Sequence, residues 1–321
     1  MFTPPEPTAR PRRPSIFGMI TLLLPWLWLV ACGPSPAPGA ADGAPLRVAV
    51  SVPPQAWLVE AVGGEWVEVV SLVGPRDSAE TYQPTDAQVS RAMGARLFFR
   101  GGVPFERGGW FEALASAPGL EVVDLRQGLD SGPDALPMHH HHPGDEHPPE
   151  SQRHNDGVDP HLWLSPRRLR VQAGTVSDAL ARIDPEHAAE YRRNLAATLD
   201  RLDVLDRELS RRLAPHAGGS FYVFHPAWSY LAADYGLRQV AIEVDGKSPS
   251  DAELTRLQEA ARRDAVGVIF VQPQMPHQAA DAVAAELGAE TVVLDPLAPD
   301  VPANLLRAAD AIAASYGGPT P

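Results

Sequence analysis

Residues 184–213 read DPEHAAEYRRNLAATLDRLDVLDRELSRRL. Asp184 followed by Pro185 marks a helix start, a capping carboxylate with proline at the first helical position. From there Tyr191, Leu195, Leu199, Leu202, Leu205, Leu209 and Leu213 recur at spacings of three and four. That stripe predicts one amphipathic helix of about 28 residues, roughly 42 Å long at 1.5 Å per residue. A helix of that length is unusual in a small domain and suits a strut joining two lobes.

The sequence on both sides of this helix alternates between strands and helices. Before it, strand candidates are Leu46–Val52, Val67–Val73, Leu97–Phe99 and Leu120–Leu125. Between them lie helices from Pro53 to about Val62, Thr85 to Met93 and Phe105 to Ala117, and Pro166 to Arg182 forms one more before the strut. Thr85 and Gln88 stand at the spacing of a capping box. After the strut, strands are expected at Phe221–Phe224, Gln239–Val244, Val266–Val271 and Thr291–Leu294. The helices there are Trp228–Tyr235, Pro249–Asp264, His277–Leu287 and Pro302–Tyr316. Such alternation argues for parallel sheets covered on both faces. The expected fold is α/β, two Rossmann-like lobes (46–183 and 215–321) joined by one long helix (184–214).

The N-terminus has a different character. Arg10, Arg12 and Arg13 precede an apolar run from Ile16 to Ala31, which closes in Leu29-Val30-Ala31-Cys32-Gly33. A basic segment, a short apolar run and small residues before a cleavage point make a secretory signal, here residues 1–31. The run contains Pro25 and falls short of the roughly 20 residues that span a bilayer comfortably. An uncleaved anchor helix is the alternative. Cys32 is the only cysteine, so an internal disulfide or a thiolate metal site in the folded part is excluded. Residues 32–45, rich in Pro, Ala and Gly, read as a flexible tether.

The formal charge of −13 argues against a nucleic-acid partner, whose phosphates need a basic surface. An acidic surface suits cation capture without establishing it. The 321-residue chain is 44% hydrophobic and has no solenoid repeat. One stretch, residues 127–158, has almost no apolar content or periodicity. It holds the run His139, His140, His141 and His142, with His147 and His154 downstream and Asp145 and Glu146 between. Imidazole is the usual ligand for zinc, copper and nickel, so this loop is a candidate auxiliary metal-binding segment. A neutral low-complexity tract is the bland alternative.

Four short motifs place a metal-capable side chain at a strand end or loop. They are Asp159-Pro160-His161-Leu162-Trp163, Phe224-His225-Pro226-Ala227-Trp228-Ser229-Tyr230, Leu294-Asp295-Pro296-Leu297 and Ser78-Ala79-Glu80-Thr81-Tyr82-Gln83-Pro84. Ligands of open α/β sheets collect beyond the C-terminal ends of strands. Singly, each of these residues reads as a cap or a satisfied polar group; together they point to a site.

At these residues the chain resembles the zinc and manganese solute-binding lipoproteins of ABC importers, from about Val48 to the C-terminus. Leu-x-Ala-Cys-Gly resembles the bacterial lipobox, which implies acylation of Cys32 and a membrane-tethered protein in the periplasm or cell envelope. The resemblance implies that His161, His225 and Asp295 are metal ligands in an interlobe cleft, that the partner is an ABC permease, and that the protein is no enzyme; a monomer is expected. The first motif departs from the family, with Glu80 where histidine is usual. Glutamate is itself a zinc ligand, so a site of Glu80, His161, His225 and Asp295 is expected. Zn2+ is favoured, with Mn2+ or Fe2+ the alternatives because added oxygen suits harder ions. Two other classes stay open, a zinc hydrolase and a periplasmic metal buffer. Against the first, the chain has no His-Glu-x-x-His helix or Gly-x-Ser-x-Gly elbow.

Overall fold

Strand β1 (Leu46–Val50) leads into helix α1 (Pro53–Gly63), whose first two positions are prolines. Proline is tolerated there because the first amides of a helix have no acceptor within it. The amides of Ser51 and Val52 instead donate to Gln55 Oε1 at 3.0 and 3.2 Å. The first lobe continues with β2 (Val67–Ser71), α2 (Asp86–Met93), β3 (Leu97–Arg100), α3 (Gly109–Ala115) and β4 (Glu121–Asp124). The expected capping box forms, Gln88 Oε1 accepting from the Thr85 amide at 2.8 Å. The computed structural model describes residues 44–129, 136, 158–243, 249–275 and 277–316. The signal-like segment, Cys32, nearly all of the tether, and His139 to His142, His147 and His154 lie outside the described residues.

Helices α4 (Pro166–Ile183) and α5 (Ala188–Leu213) follow. The second lobe then runs β5 (Ser220–Val223), α6 (Ser229–Asp234), β6 (Arg238–Ala241), α7 (Asp251–Arg263), β7 (Val268–Val271), α8 (His277–Leu287), β8 (Glu290–Val293) and α9 (Val301–Ser315). Each lobe holds one four-stranded parallel sheet, ordered β2-β1-β3-β4 and β6-β5-β7-β8. The same order in both lobes reverses direction between β1 and β3 and again between β5 and β7. Crevices of this kind, outside the carboxyl ends of the strands, are where α/β sheets bind ligands.

Helix α5 has 26 residues, about 39 Å at 1.5 Å per residue, and short 3₁₀ turns extend it at both ends. Its leucine stripe is the buried face: Tyr191, Leu202, Leu205, Leu209 and Leu213 are buried, and Leu195 and Leu199 partly so. The helix packs on α4, on α1 of the first lobe and on α9 of the second. Polar contacts mark both ends. Asn194 Nδ2 donates to Val62 O at 3.1 Å, and Arg212 Nη1 reaches Asp310 Oδ2 at 2.6 Å. Gly64, which ends α1, has φ 59°, and a Cβ there would lie 2.9 Å from Asn194 Nδ2, so only glycine fits against the strut.

Strand β5 shows why the second sheet is covered on both faces. Phe221 and Val223 join the main core with α5 and α9, while Tyr222 and Phe224 belong to a second cluster with Leu257, Val283 and Ala284 of α7 and α8. Side chains alternate between the faces with period two, so an unbroken apolar strand feeds two cores. One expected helix is corrected. Residues 105–117 do not form a single helix; a 3₁₀ turn at Pro104–Arg107 is separated from α3 by Gly108, which is extended at φ −70°, ψ 150°. The Trp110 indole fills the space beside Gly108, where a Cβ would meet it at 2.7 Å.

Candidate metal centre

His161 follows Asp159-Pro160 and precedes the 3₁₀ turn Leu162–Leu164 that feeds α4. Asp159 Oδ1 accepts from the His161 amide at 2.9 Å and pairs with its Nδ1 at 2.7 Å. This local loop fixes the ring and leaves Nε2 as the free nitrogen. The Tyr230 hydroxyl donates to the Asp159 carbonyl at 2.9 Å, and the Trp163 indole donates to the Pro296 carbonyl at 2.7 Å, so the second lobe braces the motif. Ser165 caps α4 and Pro166 begins it, which sets where the turn carrying His161 must end.

His225 sits just past β5. Strand pairing persists one residue beyond β5, the Phe224 amide donating to Phe270 O at 2.8 Å, and His225-Pro226 then turns away. Its Nδ1 lies 2.5 Å from Glu243 Oε1, both side chains buried. Glu243 follows β6, the neighbour of β5, so sheet pairing rather than sequence proximity delivers the carboxylate. Glu80 stands in the loop between β2 and α2, where its amide donates to Ser78 Oγ at 3.3 Å. Gln88 Nε2 pins the far end of that loop, donating to the Tyr82 hydroxyl at 2.5 Å and to Leu72 O at 3.2 Å.

Glu80, His161 and His225 each offer a donor atom, and these atoms all lie within 4.8 Å of one another. His225 Nε2 and Glu80 Oε1 are 3.4 Å apart. Two donors on a tetrahedral zinc at 2.0–2.1 Å stand about 3.3 Å from each other, so this pair already has the spacing of two ligands. The contact is a charge pairing without hydrogen-bond geometry, and His225 Nε2 is buried with no hydrogen-bond partner among the described residues. A buried nitrogen left open costs free energy unless something completes it. Both imidazoles have Nδ1 taken by a carboxylate, the outer-shell arrangement that fixes the tautomer of a metal-ligating histidine. The residues therefore fit a divalent cation.

The electrostatics agree. Burial draws the His225 imidazole down, but its pairings with Glu243 and Glu80 outweigh this and push its pKa up to about 10. Burial pushes the Glu80 carboxyl up, and the facing His225, helped by His161 and Arg107, brings it below its ordinary value. Positive charge is thus held between the two carboxylates, where a cation would replace a proton.

The fourth sequence candidate, Asp295, stands beyond β8 and is not among these three. Its Oδ1 accepts from Gln274 Nε2 at 2.7 Å and from the Leu297 amide at 2.9 Å. Asp159 lay inside a motif already singled out. Glu243 and Gln274 carried no local signal beyond their places at strand ends.

A family model described as ZnuA, zinc-uptake complex component A, periplasmic, matches residues 48–312. The chain belongs to this family. ZnuA-family members are extracytoplasmic solute-binding components, not enzymes. A solved structure of a ZnuA deletion mutant with zinc bound is 34% identical, with TM-score 0.75, and the match covers 86% of this chain and all of that one. A Chlamydia muridarum protein described as metal-binding is 30% identical over 268 residues, 83% of this chain and 90% of that protein. The zinc-binding lipoprotein AdcA of Streptococcus pneumoniae is 29% identical over 280 residues, 84% of this chain. This chain spans about half, 53%, of AdcA.

Proposed function

We propose that this ZnuA-family protein captures one zinc ion between its lobes, on Glu80 Oε1, His161 Nε2 and His225 Nε2, and presents it to an ABC permease. The observation that carries the reading is the 3.4 Å approach of His225 Nε2 to Glu80 Oε1, with both histidines locked through Nδ1 by carboxylates. Asp295 is the proposed fourth donor, through Oδ2, since Oδ1 is occupied. Zinc is favoured because two imidazoles bind it strongly, and among divalent ions it outcompetes manganese and ferrous iron at equal geometry. The Glu80 carboxylate favours a second reading, a harder ion such as Mn2+ or Fe2+, and competition titration separates the two.

The N-terminal features complete the proposal. Residues 1–31 act as a secretory signal, Cys32 carries the lipid, and residues 32–45 tether a monomeric binding protein to the membrane on its periplasmic side. Residues 127–158, with their histidine run, bind further ions weakly. Among the described residues, no helix is long and apolar enough to cross a membrane. Chelator-competition titration of wild type, His161→Ala and His225→Ala tests the site. Tight binding of one zinc in wild type, lost in both variants, is expected; tight binding retained in either variant defeats the assignment.

A further inference from the structure

The turn after β7 carries a side chain whose two amide protons serve both lobes. Gln274 Nε2 donates to Asp295 Oδ1 at 2.7 Å and to the Pro75 carbonyl at 3.1 Å. Asp295 belongs to the second lobe. Pro75 belongs to the first, in the loop that runs from β2 to Glu80. Both partners are acceptors, so the orientation of the carboxamide is fixed: its nitrogen faces them. The Oε1 at its other end is buried and accepts no hydrogen bond among the described residues, so that end does not hold it in place. A residue needed only for packing has no reason to bury an unpartnered oxygen where an apolar side chain would fit.

We infer that Gln274 is a latch: it ties the Glu80 loop to the metal-facing edge of the second lobe, occupies one oxygen of Asp295, and so sets how fast the ion leaves. The inference rests on the metal-capture reading above. Gln274 is a positioning residue; it acts through Pro75 and Asp295. With the latch made, the segment bearing Glu80 is held against the lobe that supplies His225, and Asp295 has only Oδ2 to offer. Without it, the loop keeps its own turns, Gln88, the buried Ala79 and the Tyr82–Phe105 ring contact, but its tie to the second lobe rests on the Glu80–His225 pairing. The latch joins the lobes in the arrangement that brings Glu80, His161 and His225 together, so its loss accelerates separation of the lobes and release of the ion.

The test is stopped-flow kinetics on the full chain with zinc, in wild type, Gln274→Met and Gln274→Ala. Methionine keeps the length of the side chain and removes both donors. Loss of one interlobe hydrogen bond is expected to raise the dissociation rate into excess chelator by about five- to tenfold. The association rate should match wild type. A wild-type dissociation rate in Gln274→Met overturns the latch. So does a fall in the association rate together with a lowered metal-free melting temperature, which marks a merely structural role. Failure of the wild type to bind zinc tightly would instead remove the reading on which the latch rests, so the two failures are told apart.

Discussion

Zinc loading at pH 7.5 should release close to one proton per ion. In the metal-free protein His225 is protonated, its pKa pushed to about 10 because Glu243 and Glu80 outweigh the effect of burial. Nδ1–H stays on Glu243; the proton that must leave is the one on Nε2, facing Glu80. From pH 7.5 to about 10 is about 2.5 units, so displacing that proton opposes binding by roughly 3 kcal/mol. The apparent affinity should therefore rise about tenfold for each pH unit between roughly 6.5 and 8.5. Glu80, held below its ordinary range, is ionised throughout this window and adds no slope. Calorimetric titration in two buffers of different ionisation enthalpy counts the proton directly. The same groups set the metal-free stability. A raised histidine pKa contributes fully below its ordinary 6.5 and is lost as pH climbs toward about 10. The lowered Glu80 contributes above its ordinary 4.5 and is lost on acidification. Metal-free protein should thus lose stability from pH 7 to 9, and zinc-loaded protein should not. Binding without proton release and with flat affinity over this range would refute the account of His225.

Glu80→Ala should weaken zinc binding by more than about a hundredfold, the upper end for losing an outer-shell partner, and chelator competition reads it. Deleting residues 138–154 should leave the one tight site and remove weaker ones, as seen in the stoichiometry of a zinc titration; loss of the tight site would relocate it to that segment. Cys32→Ser should abolish acylation and move the protein out of the detergent phase, with mass spectrometry of the mature N-terminus as the check. Leu209→Ala, at a fully buried position on α5, should cost about 2–5 kcal/mol in denaturant unfolding. Zinc affinity should change little there.

The architecture was legible because two periodicities mark it. Strands such as Phe221–Phe224 are short apolar runs, and the stripe from Tyr191 to Leu213 keeps a helical spacing over about six turns, so lobes and strut separate by pattern alone. The break at Gly108 was not legible in the pattern; it shows in three dimensions, where the Trp110 indole packs against that glycine. At the site, His161 and His225 stood out because a proline flanks each of them, in the turn before α4 and just past β5, and Glu80 because its neighbours kept the register of a motif. Glu243 was invisible for a physical reason. It reaches His225 across the β5–β6 pairing, and nothing local distinguishes it from any acidic residue after a strand. Gln274 was hidden likewise, since its partners Pro75 and Asp295 lie 199 and 21 positions away.

The most direct test is a crystal of the zinc-loaded protein measured on both sides of the zinc absorption edge. The account predicts one strong anomalous peak in the interlobe cleft, about 2.0–2.2 Å from His161 Nε2, His225 Nε2 and a Glu80 carboxylate oxygen. A cleft without a peak, or a peak bound by the histidines without Glu80, would contradict it.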